Sequence, residues 1–369
     1  MNINQQAFFE LLRAGLWEKE ARLSVFDGID FNDVYQIAEG QSVVGLVAAG
    51  MEHVTDVKIP QTTFLFFVGN AIQIEQRNKA MNAFVARLIE RLRNADIYVI
   101  LVKGQGIAQC YERPLWRACG DVDLLLSEEN YEKAKTLLLP LASDVETEYT
   151  HFKHQGMTID GWVVELHGTL HSRLSARVDR MIDGVQEDVF CGGKVRSWMN
   201  GRTQVFLPAP DEDVIFVFTH ILHHFFFEGV GLRQICDWCR LLWTYRDTLD
   251  VRLLEQRLRK AGLMSEWKAF AAFAVEYLGI PVEAMPFYDN GLKYKAQGSK
   301  ICEFIMEVGN FGYNQRRDYS GMSYITRKFV SSWGRLSDML RHFRLFPLDS
   351  IRFFSGVLRS GLHAAVRGE

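Results

Sequence analysis

The sequence predicts an α+β chain: a mixed sheet core with helical regions on its N-terminal and C-terminal sides. Three observations predict it. Apolar residues recur at helical spacing through most of the first hundred residues. Between residues 96 and 210 the pattern changes to strand-like runs and hairpin turns. From there to the end, helical patterns return. We divide the chain accordingly into a helical N-terminal region (1–95), an α/β core (96–210) and a helical C-terminal region (211–369). With 369 residues, 48% of them hydrophobic, there is ample apolar material for a large core.

Each element has a local reason. In FVARLIERLRN, Phe84, Leu88 and Leu92 share one helical face, reinforced by Val85 and Ile89. DIYVILV (96–102) is β-branched and apolar, as a strand buried on both faces would be. KGQG (103–106) follows, then a short helical piece ending at Arg113-Pro114. Asp123 to Leu126 reads as a second strand. Ser127 is the expected N-cap of a helix running to Pro140, with Glu128 and Glu129 in the first turn, where the helix dipole favours acids. Two hairpins follow: GMTI and WVVELHG around Asp160-Gly161, and KVRSW and TQVFLP around Asn200-Gly201. Asp-Gly and Asn-Gly are the pairs that type I′ turns demand. Asp211 is the expected cap of a helix through VIFVFTHILHHFFF, and GLRQICDWCRLLW predicts another.

The bulk properties exclude some functions. A net charge of −3 gives no basic field, so a long nucleic acid is not an expected partner. The N-terminus lacks a basic stretch followed by an apolar one, and no apolar run reaches 18 residues without charge or glycine; no leader and no transmembrane span are expected, and the location expected is cytoplasmic. Six irregularly spaced cysteines read as reduced thiols, with Cys236 and Cys239 as core residues of a helix.

The stretch GDVDLLL (120–126) breaks the apolar pattern. On a strand, side chains alternate, so Asp121 and Asp123 share one face while Val122 and Leu124 take the other. Two neighbouring carboxylates repel, and a divalent cation removes that penalty. Mg²⁺ takes oxygen ligands and is often held by one or two carboxylates plus substrate phosphates. Glu165, between Val164 and Leu166 in a later strand, can complete a three-carboxylate cluster able to hold two ions. Asp160 is explained by its turn. Upstream, Gly104, Gln105 and Gly106 let backbone N–H groups approach an anion, and Lys103 and Arg117 add positive charge against phosphate oxygens.

This ordered set of a strand, KGQG, Arg117, an h-D-h-D-h strand (h, hydrophobic) and a separate acid-bearing strand resembles the DNA polymerase β-like nucleotidyltransferase superfamily. Within it, the chain is most similar to a bacterial group of uncharacterised nucleotidyltransferase family proteins. The motifs that carry the likeness are Lys103-Gly104, Tyr111, Pro114, Arg117, Asp121-Val122-Asp123 and Glu165-Leu166-His167. A looser helical match covers His223-His224 and LRQICD, with Arg233 and Asp237. The likeness spans residues 80 to 245. Many relatives carry Gly-Ser after the first strand, where this chain has Gly104-Gln105-Gly106.

The resemblance implies a nucleotidyltransferase-type mixed sheet and metal-dependent transfer of a nucleoside monophosphate from an NTP to an acceptor. The cofactor implied is Mg²⁺ in a two-ion site, or Mn²⁺ in its place. Asp121, Asp123 and Glu165 would be the catalytic and metal-binding residues. Lys103, Gly104, Gln105, Gly106 and Arg117 would bind nucleotide phosphate, and His167, His224, Arg233 and Asp237 would line an acceptor pocket. The near-neutral charge favours a small-molecule or carbohydrate acceptor. Two alternatives stay open: a non-catalytic nucleotide-binding or scaffold module of the same fold, and a phosphotransferase.

Blander readings stand beside the sharp ones. Arg117 also suits a fold-holding pair with a carboxylate. His220 and His224 have the i, i+4 spacing of a helical metal pair but no companion ligand, so packed histidines are expected. Arg233 and Asp237 are expected to pair along their helix. The basic, aromatic C-terminal segment RHFRLFPLDSIRFFSGVLRSGLHAAVRG suits either peripheral membrane or protein contact, or a helix packed on the body.

Overall fold

The computed structural model describes residues 1–148, 153–315 and 345–346. Four helices open the chain: α1 (Ile3–Trp17), α2 (Phe31–Gly40), α3 (Val44–Met51) and the long α4 (Gln61–Arg93). Asn2 and Asp30 cap the first two with side-chain oxygens, satisfying orphan backbone N–H groups. α1 and α3 cross so closely that a Cβ on Gly15 or Gly50 would collide with the partner helix's backbone, at 1.8 Å from Leu46 O and 1.9 Å from Leu11 O respectively. Only glycine permits that approach.

The central elements are β1 (Ile100–Val102), α5 (Gly104–Ala108), β2 (Asp121–Leu125), α6 (Glu128–Leu138), β3 (Asp144–Val145), β4 (His154–Ile159), β5 (Trp162–His167), α7 (Ala176–Phe190), β6 (Val195–Asn200) and β7 (Thr203–Pro208). Five strands form one mixed sheet in the order β1-β2-β5-β4-β3, with β2 and β5 parallel and the other pairs antiparallel. β6 and β7 form a separate hairpin.

The alternation predicted for GDVDLLL organises the molecule. Leu101, Val122, Leu124, Met157, Val164 and Leu166 lie on one sheet face and join a core with Phe84, Val85, Leu88, Ile89 and Leu92 of α4 and Tyr131 of α6. Ile100, Val102 and Leu125 lie on the other face. They join a larger core with the N-terminal helices and with α8 (Pro210–Phe227), α9 (Leu232–Tyr245), α10 (Val251–Ala261), α11 (Met264–Phe273) and α12 (Leu292–Val308). Phe218, Trp238, Trp267 and Phe270 stack at the centre of that helical core, with ring centroids 4.8–6.0 Å apart for the contacting pairs. Cys236 and Cys239 are fully buried there, and burial pushes both thiols above their ordinary range.

Several local expectations are corrected. The first strand pairs only from Ile100; Asp96 turns with positive φ, and Tyr98 is 58% exposed. Ser127 does cap α6, but Asp211 does not cap α8. Ala209 holds that position with Pro210 following it, and Asp211 instead accepts from Asp250 N. Asp160 and Gly161 both have positive φ, as a type I′ turn requires. In the second hairpin Asn200 pairs with Thr203, so the two turn residues are Gly201 and Arg202, and only glycine takes positive φ. That is the pattern of a II′ turn, one residue later than expected. The basic C-terminal segment lies outside the described residues, apart from Leu345 and Phe346, which pack into the helical core.

Candidate active site

The sheet's second face and helix α8 enclose a cleft of about 350 Å³. The parallel pairing of β2 with β5 sets Asp123 directly beside Glu165, with Asp121 two residues back on the same face. All three carboxylates line the cleft. The antiparallel pairing of β4 with β5 sets His154 opposite His167, so two imidazoles join the acids.

Lys103 enters from the end of β1. Its Nζ lies 2.8 Å from Asp123 Oδ1. The chain turns there with φ 56° and ψ −147° at Lys103, a region essentially reserved for glycine, and Gly104 follows with φ 44°. Strain of this kind is held only where surrounding contacts over-determine it. His167 Nε2 donates to the same Asp123 oxygen at 2.8 Å and lies 3.4 Å from Glu165 Oε2. His154 Nε2 meets Glu165 Oε2 at 3.2 Å.

The electrostatics follow from this crowding. Burial, and then the neighbouring Asp123, raise the Asp121 carboxyl above its ordinary range. Burial opposes the charge on Glu165, but hydrogen bonds from His154 and His167 hold it well below the usual carboxylate range. Burial also opposes the charge on Lys103, and Asp123, Glu165 and Asp121 outweigh it. His167 is raised in the same way, with burial outweighed by Asp123 and Glu165. The donor set is therefore three carboxylates with the Lys103 ammonium and the His167 imidazole among them. Its chemistry fits a divalent ion held by Asp121, Asp123 and Glu165, since hard oxygen donors and excess negative charge are what Mg²⁺ or Mn²⁺ requires.

The expected phosphate loop divides. Lys103 and Gly104 line the cleft, and a Cβ on Gly104 would stand 3.3 Å from Cys119 Sγ. Gln105 and Gly106 do not line it. Gln105 is buried and donates to Asn78 Oδ1 at 2.8 Å, while a Cβ on Gly106 would meet Leu207 Cδ2 at 2.6 Å. These two serve packing, because the second residue of so short a helix turns into the core.

Arg117 and Asp237 both reach the cleft wall, but they are bound to one another. Arg117 Nε and Nη2 meet the two Asp237 oxygens at 3.0 and 2.5 Å, and Tyr111 Oη donates to the same carboxylate at 2.7 Å. Arg117 Nη1 is buried with no hydrogen-bond partner among the described residues. Asn78 of α4 holds the same segment by donating to Leu115 O and Arg117 O, each at 2.8 Å. The expected pair of Arg233 with Asp237 does not form; Arg233 Nη1 donates to Ala118 O at 3.2 Å. Arg233 lines the cleft nonetheless.

Helix α8 supplies the facing wall. His220 and His224 share a hydrogen bond between their Nε2 atoms at 3.0 Å, and His224 Nδ1 meets Glu228 Oε2 at 2.8 Å. His223 Nδ1 donates to Ser172 O at 2.7 Å. Burial, then Lys103 and the neighbouring histidines, push His220 well below its ordinary value; burial lowers His224. Both imidazoles are thus neutral. The i, i+4 spacing suggested packed histidines for His220 and His224, while the resemblance placed His224 in an acceptor pocket; both line the cleft. Sequence reasoning did not assign His154, Glu228 or the loop residues 169–173 to the site, and it named His223 only within the looser helical match. The HILHHFFFE run carried a signal for His223 and Glu228; the loop carried none.

Comparison with known proteins identifies the family. The sequence model of a family described as "Uncharacterised nucleotidyltransferase" matches residues 27–279, more than two thirds of the chain and beyond both ends of the stretch whose motifs suggested it. No curated protein and no solved structure matches. Among the described residues, no helix is long and apolar enough to cross a membrane.

Proposed function

The chain belongs to the uncharacterised nucleotidyltransferase family, and from that premise we propose that it transfers a nucleoside monophosphate from an NTP to a hydroxyl of a small-molecule or carbohydrate acceptor. The observation that carries this reading is the register of β2 with β5, which sets Asp123 beside Glu165, with Asp121 on the same face of one cleft. Asp121, Asp123 and Glu165 would hold Mg²⁺, or Mn²⁺ in its place; when bound, such ions neutralise phosphate charge and act as Lewis acids. An acceptor oxygen attacks the α-phosphorus in line, the bond to the bridging oxygen breaks, and pyrophosphate leaves. The acceptor proton passes to a carboxylate of the cluster. Glu165, held in its charged form by two imidazoles, is the better ligand than base.

Lys103 places its ammonium in the cleft beside Asp123, where it can meet phosphate oxygens. Arg117 serves first to position β2 through Asp237, with Nη1 left for an anion. The neutral His220–His224 pair and Arg233 form the wall assigned to the acceptor. The chemistry suits cytoplasmic nucleotide as the donor.

The test is turnover of the full chain with α-labelled and γ-labelled NTPs, Mg²⁺ or Mn²⁺ and an acceptor panel. Label from the α position appearing on acceptor with pyrophosphate release supports the reading; ADP release from ATP would assign a phosphotransferase instead. Activity surviving in both Asp121→Asn and Asp123→Asn refutes the role of the carboxylates. A second reading, a non-catalytic nucleotide-binding module, draws on Lys103 and His167 both sitting on Asp123 Oδ1, where the Lys103 ammonium supplies neutralising charge and His167 a hydrogen bond. Nucleotide binding without turnover across the panel would favour it.

A further inference from the structure

The strand pair β4–β5 carries a donor set that the carboxylate motif does not contain. His154 and His167 are directly opposite one another, and Glu165 lies two residues before His167 on the same face. His154 Nε2 and His167 Nε2 stand 3.2 and 3.4 Å from Glu165 Oε2. The ligand atoms of the three side chains all lie within 4.8 Å of one another. The two rings are tilted by 43° with centroids 4.8 Å apart, so they converge on the carboxylate rather than stack. All three side chains are partly exposed, at 16–27%, and line the cleft.

We propose that His154, Glu165 and His167 form a binding position for a borderline divalent transition metal of the manganese-to-zinc series. Two ligands each about 2.0–2.2 Å from a common ion, at tetrahedral or octahedral angles, are separated by about 2.8–3.6 Å. The two nitrogen-to-oxygen separations already have that length, so an ion enters with little rearrangement of a hydrogen-bonded hairpin. Two imidazoles and one carboxylate favour such ions over Mg²⁺ or Ca²⁺, which take oxygen. Three protein ligands leave further coordination positions toward the cleft, as catalytic rather than closed structural sites do. Asp123 Oδ1, 2.8 Å from His167 Nε2, stands at the edge of the cluster and ties it to the aspartate pair. The inference does not depend on nucleotide transfer.

Chelator-treated full-length protein is titrated with Co²⁺ and followed by visible absorption, then challenged with Zn²⁺ and separately with excess Mg²⁺. The proposal predicts one Co²⁺ per chain, with visible bands shifted from those of the hydrated ion by nitrogen ligation, displaced by Zn²⁺ and retained against Mg²⁺. His154→Ala and His167→Ala lose more than about tenfold in affinity, with far-ultraviolet circular dichroism unchanged, while Asp121→Asn keeps the spectrum. Absence of the bands in wild type, displacement by Mg²⁺ as readily as by Zn²⁺, or unchanged affinity in both histidine variants overturns it. Should either variant unfold, the wild-type competition decides alone. Mg²⁺-dependent NTP binding measured on wild type separates the two readings: its absence there with cobalt binding intact would strike the nucleotidyltransferase reading only.

Discussion

Replacing Asp237 by asparagine removes the counter-charge of a guanidinium that is 3% exposed. The structure sets the scale. Arg117 gives Asp237 two charge-assisted hydrogen bonds, at 3.0 and 2.5 Å, and Tyr111 gives a third at 2.7 Å. Breaking a buried pair from one side strands the other charge and costs about 3–5 kcal/mol. Asp237→Asn should therefore lose about that much in urea unfolding, and Arg117→Met a similar amount, since it leaves the carboxylate with Tyr111 alone. The double variant should cost much less than the sum, with a coupling of about 2–3 kcal/mol. Fluorescence of Trp238, the buried neighbour on α9, reports the transition. If Asp237→Asn costs less than about 1 kcal/mol, or the two losses simply add, then the pair does not anchor α9 to the approach of β2.

Other consequences are separable. Leu124 is fully buried on the sheet face opposite the carboxylates; Leu124→Ala should cost about 2–5 kcal/mol in denaturant. Asn78→Ala leaves Leu115 O, Arg117 O and the Gln105 amide without their partner; about 1–3 kcal/mol is expected by the same measurement. Asp56 is held at about 2, below the ordinary 3.8, by hydrogen bonds from the Ser24 hydroxyl and backbone and from Leu23 N. A depressed carboxyl stabilises the fold above its unfolded value and loses that contribution as pH falls through the folded one. The melting-temperature advantage of wild type over Asp56→Asn should therefore be full above pH 3.8 and vanish towards about pH 2; a constant difference would contradict it.

What the sequence made legible was local. Period-two alternation put Asp121 and Asp123 on one face and Val122 and Leu124 on the other, and the sheet keeps that division. Ser127 and the Asp-Gly turn depend on neighbouring residues and were readable for that reason. What stayed hidden was pairing across distance. That Glu165 joins the aspartates was expected from the strand pattern and the resemblance, but nothing near either residue gives the register that sets it beside Asp123, or says that His154 lies opposite His167. Arg233 and Asp237 looked like partners by helical spacing, yet a weak surface pair yields to a buried bidentate one with Arg117, 120 residues away. Gln105 sat in a turn that suited an anion, and only the packing of α5 against α4 and β7 shows that it faces Asn78.

The central claim is that the cleft carboxylates bind nucleotide through a divalent ion. Calorimetric titration with a non-hydrolysable NTP, with and without Mg²⁺, tests it on wild type and on the Asp121→Asn/Asp123→Asn variant. The account predicts binding by wild type that requires Mg²⁺ and disappears in the variant. Binding that is equal in both proteins, or indifferent to the ion, would contradict it.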